Sequence, residues 1–208
     1  MSAINDICRY RVIPVVTLDH PADARPVAEA LLAGGLPVAE VTFRTPASGK
    51  VLAAMAAVPG LTAGAGTVTT AAQADDAKAA GARFVVSPGL SAAVVARCRE
   101  LELPVVPGTA TPSEVMAAVD SGLEFVKFFP AETLGGVATI RALAAVFPAV
   151  RFVPTGGITA RNLGEYLAEP SVAAVGGTWL VARELLARQD WDQVTRLTAE
   201  AVAAAGEG

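Results

Sequence analysis

Residue types that carry several common chemistries are scarce in this chain. Its 208 residues include one histidine, two cysteines and three lysines. A serine–histidine–aspartate triad or a histidine-rich metal site would have to be built around His20 alone, and Cys8 and Cys98 do not have the spacing of metal ligands. The motif GAGTV also lacks the G-x-G-x-x-G spacing of a dinucleotide site. We therefore expect no metal, no cofactor, and two reduced thiols.

Concentrated charge and a long apolar span are also missing. The net charge is −4 and the arginines are scattered without a basic run, which argues against a nucleic-acid groove or a membrane-surface stripe. The longest uncharged stretch, Val51 to Ala74, is rich in small residues and is broken at Pro59, so it does not resemble a membrane span. The N-terminus carries Asp6 and no apolar h-region, which excludes a signal peptide. We expect a cytoplasmic protein whose partner is a small molecule.

Short apolar runs, by contrast, recur along the whole chain. Their first residues lie about 20 to 26 positions apart, and helical Ala- and Leu-rich segments separate them. The eight runs are VIPVVT (12–17), VAEVTF (38–43), LTAGAG (61–66), FVVSP (84–88), PVVPG (104–108), FVKFFP (125–130), RFVPTGG (151–157) and VAAVGG (172–177). Eight strand–helix units predict an α/β protein of one domain, residues 1–208, folded as a single (β/α)8 TIM barrel; an open, doubly wound sheet is the alternative.

Capping residues mark the predicted helix boundaries. Side chains that suit an N-cap precede four helical segments, at Asp23, Ser91, Thr111 and Thr159. Glycines suited to the left-handed conformation at a helix end follow three segments, at Gly34, Gly81 and Gly122. We also expect an extra N-terminal helix near residues 2–9 to cover the bottom of the barrel, and another helix near residues 182–205 to cover the last strand.

A barrel places reactive side chains at the carboxyl ends of its strands. Alternate residues of a strand face the same side, so Glu40 and Arg44 share one face of the second strand, and Lys127 shares a face of the sixth with two phenylalanines. If both faces point inward, Glu40 lies deep and Arg44 lies nearer the mouth. Gly64 and Gly66 on the third strand would leave a hollow beside them. The sequence therefore predicts a cavity that holds a carboxylate, an ammonium and a guanidinium.

Lys127 lies in an apolar run, between Phe125 and Phe129, where an ammonium would lose its hydration. Such desolvation favours the neutral amine, which is a nucleophile. An amine of this kind can attack a ketone to form a Schiff base, whose iminium withdraws electrons from a neighbouring carbon–carbon bond. Glu40 is the candidate proton shuttle, and Arg44 and Thr67 could hold a substrate carboxylate.

These residues also have structural interpretations. Lys127 can be the buried ion-pair partner of Glu40, Glu40 can be a charge on the rim, and Arg44 taken alone is more often a surface residue. His20 can contact a ligand at the rim or lie in a solvated turn. The agreement of Lys127, Glu40 and Arg44 in face and in barrel end favours a catalytic lumen.

Two diglycines close the last two predicted strands. They are Gly156 and Gly157 in PTGGIT, and Gly176 and Gly177 in VGGTWL, where Thr178 adds a hydroxyl. Loops at these places in a barrel commonly present backbone N–H groups to a phosphate. Glycine also closes any tight turn, so the pair of motifs favours a phosphate site and leaves a purely structural role open.

Six segments in order along nearly the whole chain together resemble a known family. They are EVTFRT (40–45), GAGTV (64–68), FVVSPGL (84–90), FVKFFPAE (125–132), VRFVPTGGI (150–158) and GGTWL (176–180). Their combination resembles the class I 2-keto-3-deoxy-6-phosphogluconate (KDPG) aldolases, whose members often also cleave 4-hydroxy-2-oxoglutarate. The motifs KFFPAE and PTGG together are specific for this family.

The resemblance implies a (β/α)8 barrel, usually a homotrimer, that reversibly splits KDPG into pyruvate and glyceraldehyde 3-phosphate without a metal. By position in the motifs, Lys127 corresponds to the Schiff-base lysine and Glu40 to the acid/base glutamate. Arg44 and Thr67 match the contacts to the pyruvate carboxylate.

The resemblance also assigns the aldehyde end of the site. Thr155 matches a threonine that bears on facial selectivity, and the diglycines 156–157 and 176–177 match the phosphate loops. Thr178 stands where many members have serine, which keeps the hydroxyl and adds a methyl group.

Two other functions fit the same residues. A phosphosugar isomerase or epimerase on this barrel would use Glu40 as a base and Lys127 only as an electrostatic stabiliser. A non-catalytic binder of phosphorylated acids would use the cavity without turnover.

Overall fold

Strands and helices alternate along the part of the chain that the structure describes, residues 3–206 of a computed structural model. Nine strands occur in this range: β1 Val12–Val16, β2 Val38–Thr42, β3 Thr62–Gly66, β4 Val85–Val86, β5 Val105–Val106, β6 Gly108–Thr109, β7 Phe125–Phe128, β8 Arg151–Pro154 and β9 Val175–Gly177. Each of the eight predicted runs contains a strand. The fifth run contains β5 and the start of β6, which flank Pro107, a residue without an N–H to donate to a ladder.

Helices connect these strands. Ten α-helices lie within residues 3–206: α1 Ala3–Cys8, α2 Ala24–Ala33, α3 Ser48–Ala56, α4 Ala71–Ala79, α5 Ala92–Glu100, α6 Pro112–Asp120, α7 Gly136–Val146, α8 Leu163–Leu167, α9 Arg183–Ala187 and α10 Trp191–Gly206. Short 3-10 helices cover Pro21–Asp23, Glu132–Leu134 and Trp179–Val181.

All strand pairings are parallel and form two sheets. The larger has six strands in the order β5-β4-β3-β2-β1-β9, and the smaller has three in the order β6-β7-β8. Isolated parallel bridges join Phe152 to Val172 and Thr155 to Gly176, so the β8 edge meets the β9 edge. The predicted α/β class and strand–helix alternation are therefore confirmed, with the strands divided between two sheets.

The strands lie in the centre of the protein. Every residue of β1, β2 and β7 is buried, as expected where helices cover one face of a parallel sheet and side chains fill the other. The buried apolar residues other than Val15 form one cluster that extends from α1, with Ile4, to α10, with Ala201.

Two of the predicted N-caps are confirmed by side-chain hydrogen bonds. The Ser91 hydroxyl accepts from the Val94 N–H at the start of α5, and Thr111 forms a capping box with Glu114 at the start of α6. Asp23 occupies the N-cap position of α2 without a side-chain cap bond.

The prediction that Thr159 begins a helix was wrong. Asn162 is the N-cap of α8, and its Oδ1 accepts from the N–H of Thr159 at 2.7 Å. The side chain of Asn162 therefore closes a turn that precedes the helix.

Two of the three glycines that were predicted to end helices have the expected left-handed conformation. Gly81 and Gly122 have φ of 87° and 65°. Gly34 instead has a right-handed φ of −79°, and the next residue, Gly35, takes the left-handed conformation at 89°. Gly34 lies so close to Thr198 of α10 that a Cβ there would overlap the threonine side chain. Its glycine therefore permits close helix packing instead of a left-handed turn.

The extra helices differ in part from the prediction. The N-terminal helix α1 is present, and Ser2, also included in its predicted range, lies outside the described residues. The helix predicted near 182–205 consists of two, α9 and α10, separated at Gln189, whose φ is 54°. A positive φ at a non-glycine residue interrupts a right-handed helix.

Cys8 and Cys98 are free and buried. Desolvation raises the pKa of the Cys8 thiol to about 12 and that of Cys98 to about 11, so both thiols stay protonated at neutral pH. Within residues 3–206 no helix combines the length and apolar character needed to cross a bilayer.

Candidate active site

Lys127 and Glu40 meet in the interior, although 87 positions separate them in the sequence. Lys127 lies on β7 and Glu40 at the centre of β2, and the lysine Nζ donates to Glu40 Oε1 at 3.4 Å. The two residues are only 6% and 3% exposed. Removing either side chain of such a buried pair destabilises the protein, because the remaining charge is left buried without a partner.

The phenylalanine that follows β7 contacts the lysine directly. The Nζ of Lys127 lies 5.4 Å from the centroid of the Phe129 ring, within the range at which an aromatic face attracts a cation. Phe129 and Glu40 both attract the positive charge of Lys127. The phenylalanine therefore does more than remove water from the amine, which was the only effect considered in the sequence argument.

Glycines on β3 make room for this pair. A Cβ on Gly66 would overlap the carboxylate of Glu40, and one on Gly64 would overlap the ring of Phe84. The hollow predicted beside these glycines is therefore filled, by the catalytic candidate Glu40 in one case and by a core aromatic in the other.

A cavity of about 270 Å³ opens above Lys127. Its wall includes Arg44, Thr67, Lys127, Thr155, Gly156, Gly157, Gly176, Gly177 and Thr178, together with Val15, Pro88, Phe129 and Ile158. Every predicted site residue except Glu40 lines this space. Glu40 lies behind Lys127, which separates its carboxylate from the cavity.

Below the pair the interior is nearly solid. A second cavity of about 10 Å³ is bordered by Glu40, Lys127 and residues of α1, among them Ile7 and Cys8. This volume is at the lower limit for a single water molecule. The space beside the N-terminal helix therefore has no room for a ligand, and a ligand can reach the pair only from the upper cavity.

Arg44 and Thr67 lie next to each other at the mouth. The exposed Arg44 follows β2, the half-buried Thr67 follows β3, and Arg44 Nε donates to Thr67 Oγ1 at 3.4 Å. A guanidinium and a hydroxyl at this spacing can bind one carboxylate together.

Thr67 has a positive φ of 58°, which is rare for a β-branched residue and costs about 1–2 kcal/mol. We expect Thr67→Gly to be at least as stable as the wild type, because relief of this strain offsets the roughly 0.5–1 kcal/mol that glycine adds to unfolded-state entropy. Thermal denaturation measures this.

The matched variant for this prediction is Thr67→Ala, which removes the hydroxyl and keeps the strain. Both variants should bind a small carboxylate ligand such as pyruvate about 10- to 100-fold more weakly, as expected from loss of a hydrogen bond to a charged group worth about 1.5–3 kcal/mol. A Thr67→Gly variant clearly less stable than Thr67→Ala would show that the backbone here is not strained.

A hydroxyl network that the sequence reasoning missed supports Arg44 from below. Ser48 Oγ lies 2.8 Å from the carbonyl oxygens of both Thr42 and Thr45, and the Thr45 hydroxyl donates to the Leu18 carbonyl at 3.1 Å. The turn that carries Arg44 is thereby tied to the end of β1. The spacing T-x-x-S in TPAS (45–48) is the local signal that could have revealed it.

Thr155 and the first diglycine form one wall of the cavity. Thr155 is 7% exposed and borders both the upper and the lower cavity. Gly156 and Gly157 follow it with φ of 101° and 81°, which L-residues with side chains rarely adopt. These glycines are therefore required by the backbone of the loop, whatever ligand it binds.

The second diglycine is packed against its surroundings. A Cβ on Gly176 would overlap the Thr155 hydroxyl, and one on Gly177 would overlap the ring of Trp179. Thr178 beyond them is exposed and lines the cavity. Close packing therefore explains in part why these two positions are glycine, which agrees with the purely structural role left open by the sequence. The same segment also lines the cavity.

His20 is exposed in the turn after β1 and does not line the cavity. Among residues 3–206, no cluster of three or more histidine, cysteine, aspartate or glutamate side chains is arranged to hold a metal ion. The reactive groups in the described cavity are thus an amine, a carboxylate behind it, a guanidinium and hydroxyls.

A buried lysine amine beside a carboxylate, below a mouth with a guanidinium and a hydroxyl, is an arrangement that suits a class I aldolase, an enzyme that forms a Schiff base with its substrate. The chain matches the family described as KDPG and KHG aldolase over residues 4–197. The 2-dehydro-3-deoxy-phosphogluconate aldolase of Treponema pallidum is 49% identical over 95% of each chain.

Solved structures agree with this match. The KDPG aldolase of Zymomonas mobilis with 3-phosphoglycerate has a TM-score of 0.92 and 44% identity, and covers 96% of this chain and 95% of its own. That of Legionella pneumophila, with pyruvate captured as a covalent carbinolamine, has a TM-score of 0.92 and 42% identity, and covers 96% of this chain and 97% of its own. The chain belongs to the KDPG and KHG aldolase family.

Proposed function

We propose that this aldolase reversibly cleaves 2-dehydro-3-deoxy-6-phosphogluconate into pyruvate and glyceraldehyde 3-phosphate, with Lys127 as the Schiff-base residue. The observation that carries the proposal is the buried Lys127–Glu40 pair, with an Nζ to Oε1 distance of 3.4 Å, at the base of a cavity of about 270 Å³. The relatives that bind phosphoglycerate and covalent pyruvate support both ends of this substrate.

The reaction begins at the amine. Proton transfer from Lys127 to Glu40 makes the lysine nucleophilic, and its nitrogen adds to the C2 ketone to give a carbinolamine. Glu40 then donates a proton to the departing hydroxyl, so that water leaves and the iminium forms. The short distance between the two side chains serves both transfers.

Cleavage follows from the electron demand of the iminium. Glu40, ionised after the loss of water, is the base that takes the proton of the C4 hydroxyl; the C3–C4 bond breaks, and its electron pair moves to the iminium to give an enamine of pyruvate. Glyceraldehyde 3-phosphate leaves first. Glu40 returns a proton to the enamine carbon, and water hydrolyses the resulting iminium to release pyruvate and regenerate Lys127.

The cavity wall supplies the anchors. Arg44 and Thr67 bind the substrate carboxylate, and Thr155 lies toward the aldehyde, where it bears on facial selectivity. The loops with Gly156–Gly157 and with Gly176–Thr178 receive the phosphate through backbone N–H groups and the Thr178 hydroxyl. No charged side chain is assigned to the phosphate, so its binding depends on the conformation of these loops.

A second substrate, 4-hydroxy-2-oxoglutarate, fits the same chemistry. Its cleavage gives pyruvate and glyoxylate, and the family description includes KHG, the same hydroxy-oxo acid. Only the anchor at the far end differs, since a carboxylate would replace the phosphate.

We further propose that the two sheets close into one (β/α)8 barrel and that residues 1–208 form one domain. The bridge from Thr155 to Gly176 and the single apolar cluster support this. A homotrimer and a cytoplasmic location are proposed from the family resemblance and the sequence, and light scattering after size exclusion tests the trimer.

Borohydride reduction in the presence of pyruvate, followed by peptide mass spectrometry, tests the mechanism. Our proposal predicts a stable carboxyethyl group on Lys127. An isomerase or epimerase would carry none, and a non-catalytic binder would show ligand-dependent stabilisation without turnover. Retro-aldol assays of KDPG, its galactonate epimer and 4-hydroxy-2-oxoglutarate, run side by side, identify the substrate.

A further inference from the structure

The loop after β8 is held in place from its outer side by Glu132. The Glu132 N–H donates to the Gly156 carbonyl at 3.1 Å, and its side-chain stem occupies the space that a Cβ on Gly157 would take. The adjacent Ala131 N–H donates to the Thr155 carbonyl at 2.9 Å. Three successive residues of the loop are thus in contact with the short helix Glu132–Leu134 or the residue before it.

Tyr166 in turn fixes Glu132. Tyr166 is 1% exposed and is among the largest fully buried side chains in the described chain. Its hydroxyl donates to Glu132 Oε1. Burial first, and then the bond to Glu132, raise the pKa of Tyr166, so the hydroxyl remains protonated and a donor at neutral pH.

Asn162, the N-cap of the helix that carries Tyr166, also holds the loop. It lies four positions before Tyr166, one turn earlier along the chain. Its Nδ2 donates to the Gly157 carbonyl at 3.0 Å, while its Oδ1 accepts from the N–H and hydroxyl of Thr159. The two ends of the glycine loop are therefore tied to α8, one directly and one through Glu132.

We propose that Glu132, Tyr166 and Asn162 are positioning residues that hold the Gly156–Gly157 loop in its phosphate-binding conformation, and so set the preference for phosphorylated over unphosphorylated substrates. None of the three lines the cavity, so they act through the loop. Since most of the proposed phosphate contacts are backbone N–H groups, the loop conformation is the main determinant of the affinity for the substrate phosphate. This inference rests on the proposed function.

The test compares Tyr166→Phe, Glu132→Ala and Glu132→Gln with Tyr10→Phe, which changes the other tyrosine of the chain; the Tyr10 hydroxyl accepts from Arg9, and Tyr10 does not line the cavity. KM and kcat are measured with KDPG, and the pyruvate concentration that gives half-maximal borohydride trapping is measured separately. Pyruvate carries no phosphate, so it reports on the lysine end alone.

Tyr166→Phe and Glu132→Ala should each raise KM for KDPG about fivefold, the effect of one ordinary hydrogen bond, with kcat and pyruvate trapping unchanged. Glu132→Gln keeps the acceptor and the stem, so its KM should not exceed that of the wild type. Tyr10→Phe should match the wild type.

An equal weakening of KDPG and pyruvate binding would overturn the inference, as would an unchanged KM in both Tyr166→Phe and Glu132→Ala. If Tyr166→Phe does not fold, the exposed Glu132 still allows the test through its two variants. A wild-type protein that neither traps pyruvate nor cleaves KDPG would instead refute the proposed function, which separates the two failures.

Discussion

Replacing Lys127 by alanine is expected to lower kcat/KM for KDPG by at least about 10⁴-fold and to abolish borohydride trapping of pyruvate. Without the amine no Schiff base forms, and the C3–C4 bond loses its electron sink. The change also leaves the carboxylate of Glu40, which is 3% exposed, without its partner. We therefore expect a loss of roughly 3 kcal/mol in the free energy of unfolding, the lower end of what breaking a buried ion pair costs.

The control is Lys78→Ala, because Lys78 is an exposed lysine on α4. It should retain full turnover, normal trapping and wild-type stability. Denaturant unfolding of both variants separates a loss of chemistry from a loss of fold. Substantial turnover in a folded Lys127→Ala protein would refute the Schiff-base mechanism and favour an isomerase or epimerase in which this lysine only stabilises charge.

Strand periodicity is what made this pair predictable from the sequence. Side chains on a strand alternate with period two, so the positions of Glu40 and Lys127 within their runs are enough to assign each a face. The barrel rule then assigns their end of the sheet. Both steps use only information within one strand and a topology common to many proteins, and the structure brings the two side chains together as expected.

The side chain that fills the space beside a strand cannot be predicted from the sequence of that strand alone. The side chain beside Gly64 is Phe84, which precedes β4 and lies 20 positions later in the sequence, and no pattern on β3 indicates it. The Tyr166–Glu132 contact joins residues 34 positions apart on two helical segments. Such contacts depend on side-chain packing in three dimensions, so the supports of the glycine loop were missed while the loop itself was predicted.

Local competition explains the errors at helix ends. Thr159 has a side chain that suits an N-cap, yet the N-cap of α8 is Asn162, three positions later. The N–H of Thr159 donates to the side-chain oxygen of Asn162. Threonine and asparagine are both favoured at the N-cap, so the sequence could not show which of these two residues would occupy it. Likewise, nothing in the composition of residues 182–205 marks the left-handed residue Gln189, where the predicted helix divides.

Glu40→Gln is expected to lower kcat for KDPG by about 10²–10⁴-fold, the usual contribution of a general acid/base. The amide keeps the shape that fits against Gly66, so the variant tests proton transfer with little change in packing. Trapping of pyruvate should still occur on Lys127, but more slowly, because loss of water from the carbinolamine needs the missing proton donor.

The matched control for this variant is Glu124→Gln, an exposed glutamate immediately before β7. Single-turnover measurement of pyruvate trapping, together with steady-state cleavage, distinguishes the two roles assigned to Glu40. Slow trapping with slow cleavage means that Glu40 serves both dehydration and the later protonation of the enamine. Normal trapping with slow cleavage would restrict it to the later step, and normal rates for both would show that Glu40 is only the ion-pair partner of Lys127. The distance of 3.4 Å between the two side chains favours the first result, since in the free enzyme Glu40 lies within reach of the nitrogen that reacts.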